Sequence, residues 1–205
     1  FFWKNFPDRD NKPYDFIISS AEEAPQNLAG QNMNRMSNIF WGPAFTSDGK
    51  LIALGEQLYI WNSFPENEND MPDVSVSALS SGKPGSKFVG GDGSGITIAG
   101  NRIYISLYNG NKIVAYNFIP TSSEQIPDFA VGSPDLDTNT LDSVGFITNP
   151  VIETDGKSLF VSSDFDGKLS VWKNFPDEDG AKPDFIYDLG MSPWDSELFK
   201  NKLIL

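Results

Sequence analysis

Short runs of alternating apolar and polar residues, separated by turn residues, cover most of the chain. Alternation with a period of two is typical of a β-strand with one buried face, and Asp-Gly pairs are strong turn signals. The clearest region predicts four strands at 150–153, 158–162, 168–172 and 184–187. Polar turns separate these strands at 154–157, 164–167 and 177–180. The earlier stretches 39–77 and 94–132 show a similar order of strands and turns.

A short motif recurs four times along the chain. In each copy an aromatic residue stands four positions before a proline, and an aspartate stands eight positions after that proline. The aromatic residues are Trp3, Trp61, Tyr116 and Trp172, and the aspartates are Asp15, Asp73, Asp128 and Asp184. The motif prolines Pro7, Pro65, Pro120 and Pro176 stand 58, 55 and 56 residues apart. Periods of this size are typical of stacked or radially arranged units.

The regular spacing of the motif favours a structural role. We expect each motif aromatic residue to pack between neighbouring units, because a large buried ring contributes strongly to stability. We expect each motif aspartate to accept a backbone hydrogen bond in the loop after its proline. The alternatives are an aromatic binding face and a ring of carboxylate ligands.

Four antiparallel strands in a repeat of about 56 residues are typical of a β-propeller blade. The sequence therefore predicts an all-β propeller segment over residues 1–205, with three complete blades and two partial ones. The predicted blades are 1–19 (partial), 39–77, 94–132, 146–190 and 194–205 (partial). Both ends then fall inside blades, which leaves two alternatives: a fragment of a larger propeller, or a four-bladed ring closed by the termini.

The region 130–190 resembles NHL-type propeller repeats, particularly those of bacterial and archaeal extracellular proteins. The resemblance rests on Asn149-Pro150, the Asp155-Gly156 turn, the strand at 159–161 and the motif at 171–176. The family's aspartate after that strand and its arginine near the hairpin are replaced here, by Leu107 and Ser163 and by Lys112 and Lys168. The resemblance implies a propeller fold. Because enzymes, receptor ectodomains and ubiquitin-ligase scaffolds share such repeats, it implies much less about function.

Composition and charge restrict the function classes. The 205 residues are 39% hydrophobic, which is enough to build a core. With 15 Lys and Arg against 28 Asp and Glu, the formal charge is −13, which argues against nucleic acid and anionic membrane surfaces as partners. The chain contains no Cys and no His, so thiol catalysis, Ser-His-Asp catalysis and Cys or His metal ligation are excluded within it. No apolar run approaches the roughly 18 residues of a membrane helix.

Three acidic turns, at 8–11, 164–167 and 177–180, are candidate calcium ligands because calcium prefers oxygen donors. None completes an EF-hand pattern, and solvated turn residues are the simpler interpretation. We therefore expect no metal and no other cofactor, with calcium as the alternative. The glycine-rich stretch 90–95 precedes a predicted strand rather than a helix, so it is interpreted as a linker between blades instead of a phosphate-binding loop.

The sequence contains no recognisable catalytic set, and we expect a non-catalytic extracellular or cell-surface scaffold. Its loops on one propeller face would bind a protein or glycan partner. The predicted contact residues are the hairpin tips Tyr108, Asn109, Asp164 and Phe165. One alternative is a lyase or lactonase with an oxygen-ligated calcium or with catalytic residues outside this chain. Another is a structural subunit of a surface oligomer or filament that assembles through edge strands.

Overall fold

The structure, a computed structural model, describes residues 1–18, 41–55, 57–76, 95–107, 111–138 and 150–205. Within these ranges it contains strands and no helix, which confirms the prediction of an all-β chain. The strands are β1 Trp41–Phe45, β2 Leu51–Leu54, β3 Leu58–Trp61, β4 Val74–Val76, β5 Ile96–Ala99, β6 Arg102–Leu107, β7 Lys112–Tyr116, β8 Phe129–Val131, β9 Pro150–Thr154, β10 Leu159–Ser163, β11 Lys168–Trp172, β12 Phe185–Asp188, β13 Glu197–Phe199 and β14 Lys202–Ile204.

Three of the sheets are four-stranded and antiparallel, as predicted. Their strands lie side by side in chain order: β1 to β4, β5 to β8 and β9 to β12. Strands β13 and β14 form a two-stranded sheet. Near the N-terminus, Phe2 and Phe16 form an isolated antiparallel bridge, and their rings stack with centroids 4.8 Å apart. We call residues 1–18, which contain this bridge, the N-terminal pair.

The strand boundaries in the β9–β12 sheet differ slightly from the predicted ones, and the turn explains the shift. Strand β11 occupies 168–172 as predicted, whereas β10 begins at Leu159, one residue late. The Asp155 carboxylate accepts the backbone N–H groups of Lys157 and Ser158, at 2.9 and 2.6 Å, and so draws Ser158 into the turn. Gly156 has φ of +86°, a left-handed conformation that favours glycine.

Consecutive sheets pack face to face. Strand β6 shows the alternation: Ile103 and Ile105 face the β1–β4 sheet, whereas Tyr104 faces the β9–β12 sheet. A core cluster between the first two sheets includes Ile52 and Ile60. A third cluster covers the opposite side of β2 and β3 with Phe16 and Ile18. The apolar alternation along each strand is therefore used on both faces.

The first strands of successive sheets also contact one another. Strand β1 contacts β5, β5 contacts β9, and β9 contacts β13. Successive sheets therefore meet across their faces and along their first strands. This repeated arrangement brings the equivalent loops of neighbouring sheets close together.

Candidate functional site

The four motif aspartates occupy equivalent positions. Each accepts a hydrogen bond at Oδ2 from the backbone N–H eleven residues earlier: Lys4 to Asp15 at 2.7 Å, Asn62 to Asp73 at 2.7 Å, Asn117 to Asp128 at 2.7 Å and Lys173 to Asp184 at 2.8 Å. Each aspartate N–H in turn donates to the backbone carbonyl thirteen residues earlier, with distances of 2.8 to 2.9 Å. These bonds close the loop after the motif proline at both of its ends.

The motif aromatic residues lie at the start of the same loops. The indole Nε1 of each tryptophan donates to the carbonyl nine residues later: Trp3 to Lys12 at 3.1 Å, Trp61 to Asp70 at 3.0 Å and Trp172 to Ala181 at 3.1 Å. Trp61, Tyr116 and Trp172 are buried, each in the cluster shared with the preceding unit. The Tyr116 hydroxyl is buried and makes no hydrogen bond in the described part of the chain, and burial raises its pKa.

A clamp on the motif proline of the fourth unit joins two sheets. The Pro176 carbonyl accepts hydrogen bonds from the Tyr104 hydroxyl at 2.8 Å and from the Arg102 guanidinium at 3.0 Å. Phe175 stacks on the Tyr104 ring with centroids 5.6 Å apart. Burial raises the pKa of Tyr104, while Arg102 opposes that shift. Phe175 and Pro176 thus fasten the β9–β12 sheet to the β5–β8 sheet.

Lys112, which stands where the resembling family has an arginine, is buried at the start of β7. Its ammonium group donates to the carbonyls of Leu136 and, at 2.8 Å, of Thr138. Burial lowers its pKa, and the carboxylates of Asp135, Asp137 and Asp179 oppose the shift. Two carbonyl acceptors offset much of the cost of burying the charge. Lys112 therefore holds the loop that follows β8.

The predicted contact residues are only partly within the described chain. Tyr108 and Asn109 lie outside the described residues. Asp164 and Phe165 lie on the turn between β10 and β11, where Phe165 is 76% exposed. The turn is closed by a hydrogen bond from the Gly167 N–H to the Ser163 carbonyl at 3.0 Å.

Gly167 anchors this turn to the segment that follows β12. Its φ is +62°, and a Cβ there would lie 2.8 Å from the Met191 carbonyl oxygen. The Gly167 carbonyl also accepts the N–H of Leu189 at 2.9 Å. Any other residue would force the two segments apart, so the position requires glycine. The exposed Phe165 ring consequently projects from a backbone held at both ends.

An aromatic cleft of about 590 Å³, which the sequence did not predict, lies between the N-terminal pair and the β1–β4 sheet. Its walls are almost entirely apolar, formed by Phe1, Phe2, Trp3, Phe6, Pro7, Ile18, Pro43, Phe45, Leu51, Ala53, Trp61 and Phe64. The volume suits a small ligand, but the lining offers few polar groups that would orient one. The only advance signal was the concentration of phenylalanine in the first motif copies.

No group of three or more acidic side chains within the described residues is arranged to hold a metal ion. In the acidic turns, the carboxylates have other contacts. Asp8 lies 3.6 Å from the Lys12 ammonium, and Asp166 lies 3.6 Å from that of Lys168. Asp179 accepts the backbone N–H of Ala130 at 2.7 Å.

The residues that the structure describes contain no helix with the length and apolar character needed to cross a membrane.

Comparison with known proteins gives a single kind of similarity, in fold. No family model and no curated protein sequence matches the chain. The structure is similar to the crystal structure of a candidate 6-phosphogluconolactonase from Bacteroides uniformis ATCC 8492, with a TM-score of 0.52 and 16% sequence identity. The match covers 93% of this chain and 51% of that protein. The chain therefore spans about half the length of that protein, and at this identity the likeness concerns the fold alone.

Proposed function

We propose that the chain is part of a β-propeller built from NHL-type repeats, which acts as a non-catalytic extracellular scaffold. Three four-stranded sheets in chain order, the contacts between their first strands and the four-fold motif support this arrangement. In a propeller the first strands surround a common axis, and the hairpins between second and third strands project together. The proposed function is recognition of a partner through those hairpins.

The main support for this proposal is the turn that presents Phe165, whose backbone is held in place by hydrogen bonds at Gly167. The ring is 76% exposed, whereas the backbone around it is fixed by Gly167. An aromatic side chain on a rigid turn loses little conformational freedom on binding, which makes it an efficient contact. Met191, 49% exposed, borders the same turn through its carbonyl.

The surface charge defines the partner's chemistry. A formal charge of −13 favours a neutral or basic partner over an acidic one. An exposed Phe ring suits the apolar face of a sugar or an apolar pocket on a protein. The proposed partner is accordingly a neutral glycan or a protein with a basic rim around an apolar contact.

The test compares three forms of the purified chain for binding to a panel of neutral polysaccharides and extracellular proteins. Phe165→Ala is expected to weaken binding at least about tenfold, as for a central aromatic contact. The matched control is Phe118→Ala, which removes a ring that is 67% exposed on another loop. If wild type and Phe165→Ala bound every partner found with equal affinity, the proposal that the hairpins form the binding surface would be wrong.

The alternative is a lactone-hydrolysing enzyme, and its support is the fold similarity to the Bacteroides protein. We expect no hydrolysis of 6-phosphogluconolactone above its spontaneous rate, with or without millimolar calcium. Calcium that binds only the folded chain would raise the melting temperature by mass action. Turnover proportional to protein concentration would replace the scaffold proposal with an enzymatic one.

A further inference from the structure

The two interfaces between four-stranded sheets are equivalent in position but differ in their polar contacts. We call the interface between the β1–β4 and β5–β8 sheets the first joint, and the interface between the β5–β8 and β9–β12 sheets the second joint. The clamp on the Pro176 carbonyl crosses the second joint. Asp179 also accepts the Ala130 N–H across it at 2.7 Å, and the Gly180 N–H donates to the Ala130 carbonyl at 3.1 Å. Hydrogen bonds therefore fasten the second joint.

The clamp of the second joint is not repeated at the first joint. By strand register, Ile52 on β2 stands where β6 has Tyr104. The Ile52 side chain has no hydroxyl, so it cannot donate to the motif proline of the next sheet. Lys50 stands where β6 has Arg102, and its ammonium group lies 3.2 Å from the Asp48 carboxylate instead.

A pocket of about 330 Å³ lies at the first joint, at the end of the sheets that carries the turns between first and second strands. Both sheets contribute to its walls through these turns and through the loop after β7. The lining residues are Thr46, Ser47, Asp48, Lys50, Gly100, Asn101, Phe118 and Ile119. Phe165 lies at the opposite end of its sheet, on the turn between second and third strands. The pocket is therefore separate from the hairpins of the proposed function.

The turn between β1 and β2 places one charge of each sign in this pocket. Two hydrogen bonds close the turn: the Thr46 N–H donates to the Lys50 carbonyl at 3.1 Å, and the Thr46 hydroxyl accepts the Lys50 N–H at 2.8 Å. Hydrogen bonds from Thr46 and Lys50 lower the pKa of the Asp48 carboxyl, which keeps it ionised. The side chains of Lys50 and Asp48 are 27% and 64% exposed. Because an exposed ion pair contributes little to stability, both charges are available to a ligand at small cost.

Two opposite charges in one pocket favour a ligand that carries both. The Asp48 carboxylate and the formal charge of −13 oppose a simple anion, and the Lys50 ammonium opposes a simple cation. The ammonium and carboxylate of a free α-amino acid are attached to one carbon, so they match two side-chain charges that lie 3.2 Å apart. The Phe118 ring, 67% exposed, and the half-buried Ile119 add an apolar wall for a side chain.

We propose that this pocket binds a free α-amino acid with an apolar side chain. The ligand's ammonium pairs with Asp48 and its carboxylate with Lys50, while its side chain contacts Phe118 and Ile119. The volume of about 330 Å³ is at the small end of ligand pockets, which suits a ligand of this size. The bound amino acid contacts both sheets, so it fastens the first joint at the position where the clamp fastens the second.

The test is isothermal titration of the purified chain with L-valine, L-leucine and L-phenylalanine, and with the amide and the N-acetyl derivative of each. The amides lack the carboxylate and the N-acetyl derivatives lack the ammonium. Each derivative is expected to bind at least about tenfold more weakly than its parent, because one charged hydrogen bond is lost. A parent amino acid that binds the folded chain is also expected to raise the melting temperature at millimolar concentration. Methyl α-glucoside is the probe for a neutral sugar.

Variants of the two charged residues test the proposed contacts. Asp48→Asn and Lys50→Gln each remove one charge and are each expected to weaken amino-acid binding at least about tenfold. The matched control is Lys168→Gln, which removes a lysine that lies 3.6 Å from Asp166 on the turn between β10 and β11. This control and Phe165→Ala are expected to bind as tightly as wild type. Circular dichroism verifies that each variant is folded.

Three results would overturn the proposal. The first is a wild-type chain that binds none of the three amino acids in titration and melts at the same temperature with and without them. The second is equal binding of the parents and their derivatives, or unchanged binding by Asp48→Asn and Lys50→Gln. The third is binding of methyl α-glucoside without any amino acid, which would assign the pocket to a neutral sugar. The proposal for the hairpins is tested separately, because its variant is Phe165→Ala.

Discussion

The β5–β8 and β9–β12 sheets share strand order and pairing, but they differ in what covers them. The first is covered on both faces, and its β8 residues are all buried. The second is covered on one face, and its β12 residues are all exposed. Each of the two strands follows an equivalent proline-containing loop and an equivalent motif aspartate. Burial at the edge strand is therefore decided by the neighbouring sheet rather than by the strand's own sequence.

Two kinds of interaction stabilise the sheets: local hydrogen bonds in the loops and hydrophobic burial between sheets. The hydrogen bonds that the motif aspartates accept are the same in every unit, whether or not its face is covered. The hydrophobic burial differs from one interface between sheets to the next, because apolar side chains on a face are buried only where another sheet covers them. We infer that its own hydrogen bonds fix each loop, while the interfaces between sheets stabilise the order of the sheets.

The largest expected effect on stability comes from a cavity at the interface between two four-stranded sheets. Ile105 is fully buried between the first two sheets, so Ile105→Ala is expected to lower the free energy of unfolding by about 2–5 kcal/mol. Ile186→Ala, at a position that is 58% exposed, is expected to change it by less than about 0.5 kcal/mol. Urea unfolding of both variants measures the difference. Equal losses would contradict the different burial of Ile105 and Ile186 in the structure.

A smaller effect is expected at the motif loops, and it should not depend on coverage. Asp128→Ala and Asp184→Ala each leave a backbone N–H without its carboxylate acceptor. Both are expected to cost about 1 kcal/mol in unfolding free energy, because the lost bonds have the same geometry. Thermal melts of the two variants check this expectation. A clearly larger cost in one unit would show that the loops depend on their sheets.

Two tyrosines on opposite faces of the β5–β8 sheet are expected to differ. Tyr104→Phe removes the hydroxyl that donates to Pro176 across a joint and is expected to cost about 1 kcal/mol. Tyr116→Phe removes a buried hydroxyl that has no partner in the described chain and is expected to be neutral or stabilising. Chemical denaturation gives both values. A loss for Tyr116→Phe as large as that for Tyr104→Phe would contradict the structure.

The smallest expected effect is electrostatic and lies beside the uncovered face. Burial raises the pKa of Glu153 above its ordinary value of 4.5; Thr154 opposes the shift, and Glu197 and Asp195 add to it. A carboxyl with a raised pKa resists ionisation, so the folded state loses stability as the pH rises from about 4.5 through the folded pKa. Glu153→Gln is therefore expected to melt higher than wild type at pH 7 and equally at pH 4. A constant difference between the two at both pH values would contradict this assignment.

The strands and loops were predictable because their signals are local. Alternation of apolar residues and the Asp155-Gly156 turn placed β9 to β12 within one residue of their observed bounds. The interfaces between sheets were harder to predict, because the burial of a residue such as Phe129 or Phe185 depends on a sheet far away in the sequence. The same reason hid the aromatic cleft, which forms between residues 1–18 and the next sheet. At the candidate binding site, the exposure of Phe165 was predictable from its turn, but its bracing by Gly167 against Met191 was not.

We propose that successive sheets surround a common axis as propeller blades do. Because the chain contains no Cys, pairs of cysteines introduced for spin labelling are unique. Suitable exposed positions in or beside the turn between the first two strands of each sheet are Ser47, Asn101, Lys157 and Lys202. Double electron–electron resonance on magnetically diluted chains then gives the distances between units. Around a common axis, the distance from Ser47 to Lys157 is expected to fall clearly short of the sum of the two neighbouring distances, and the shortfall is expected to grow for Lys202. Distances that add linearly from one unit to the next would show a straight stack and contradict the propeller.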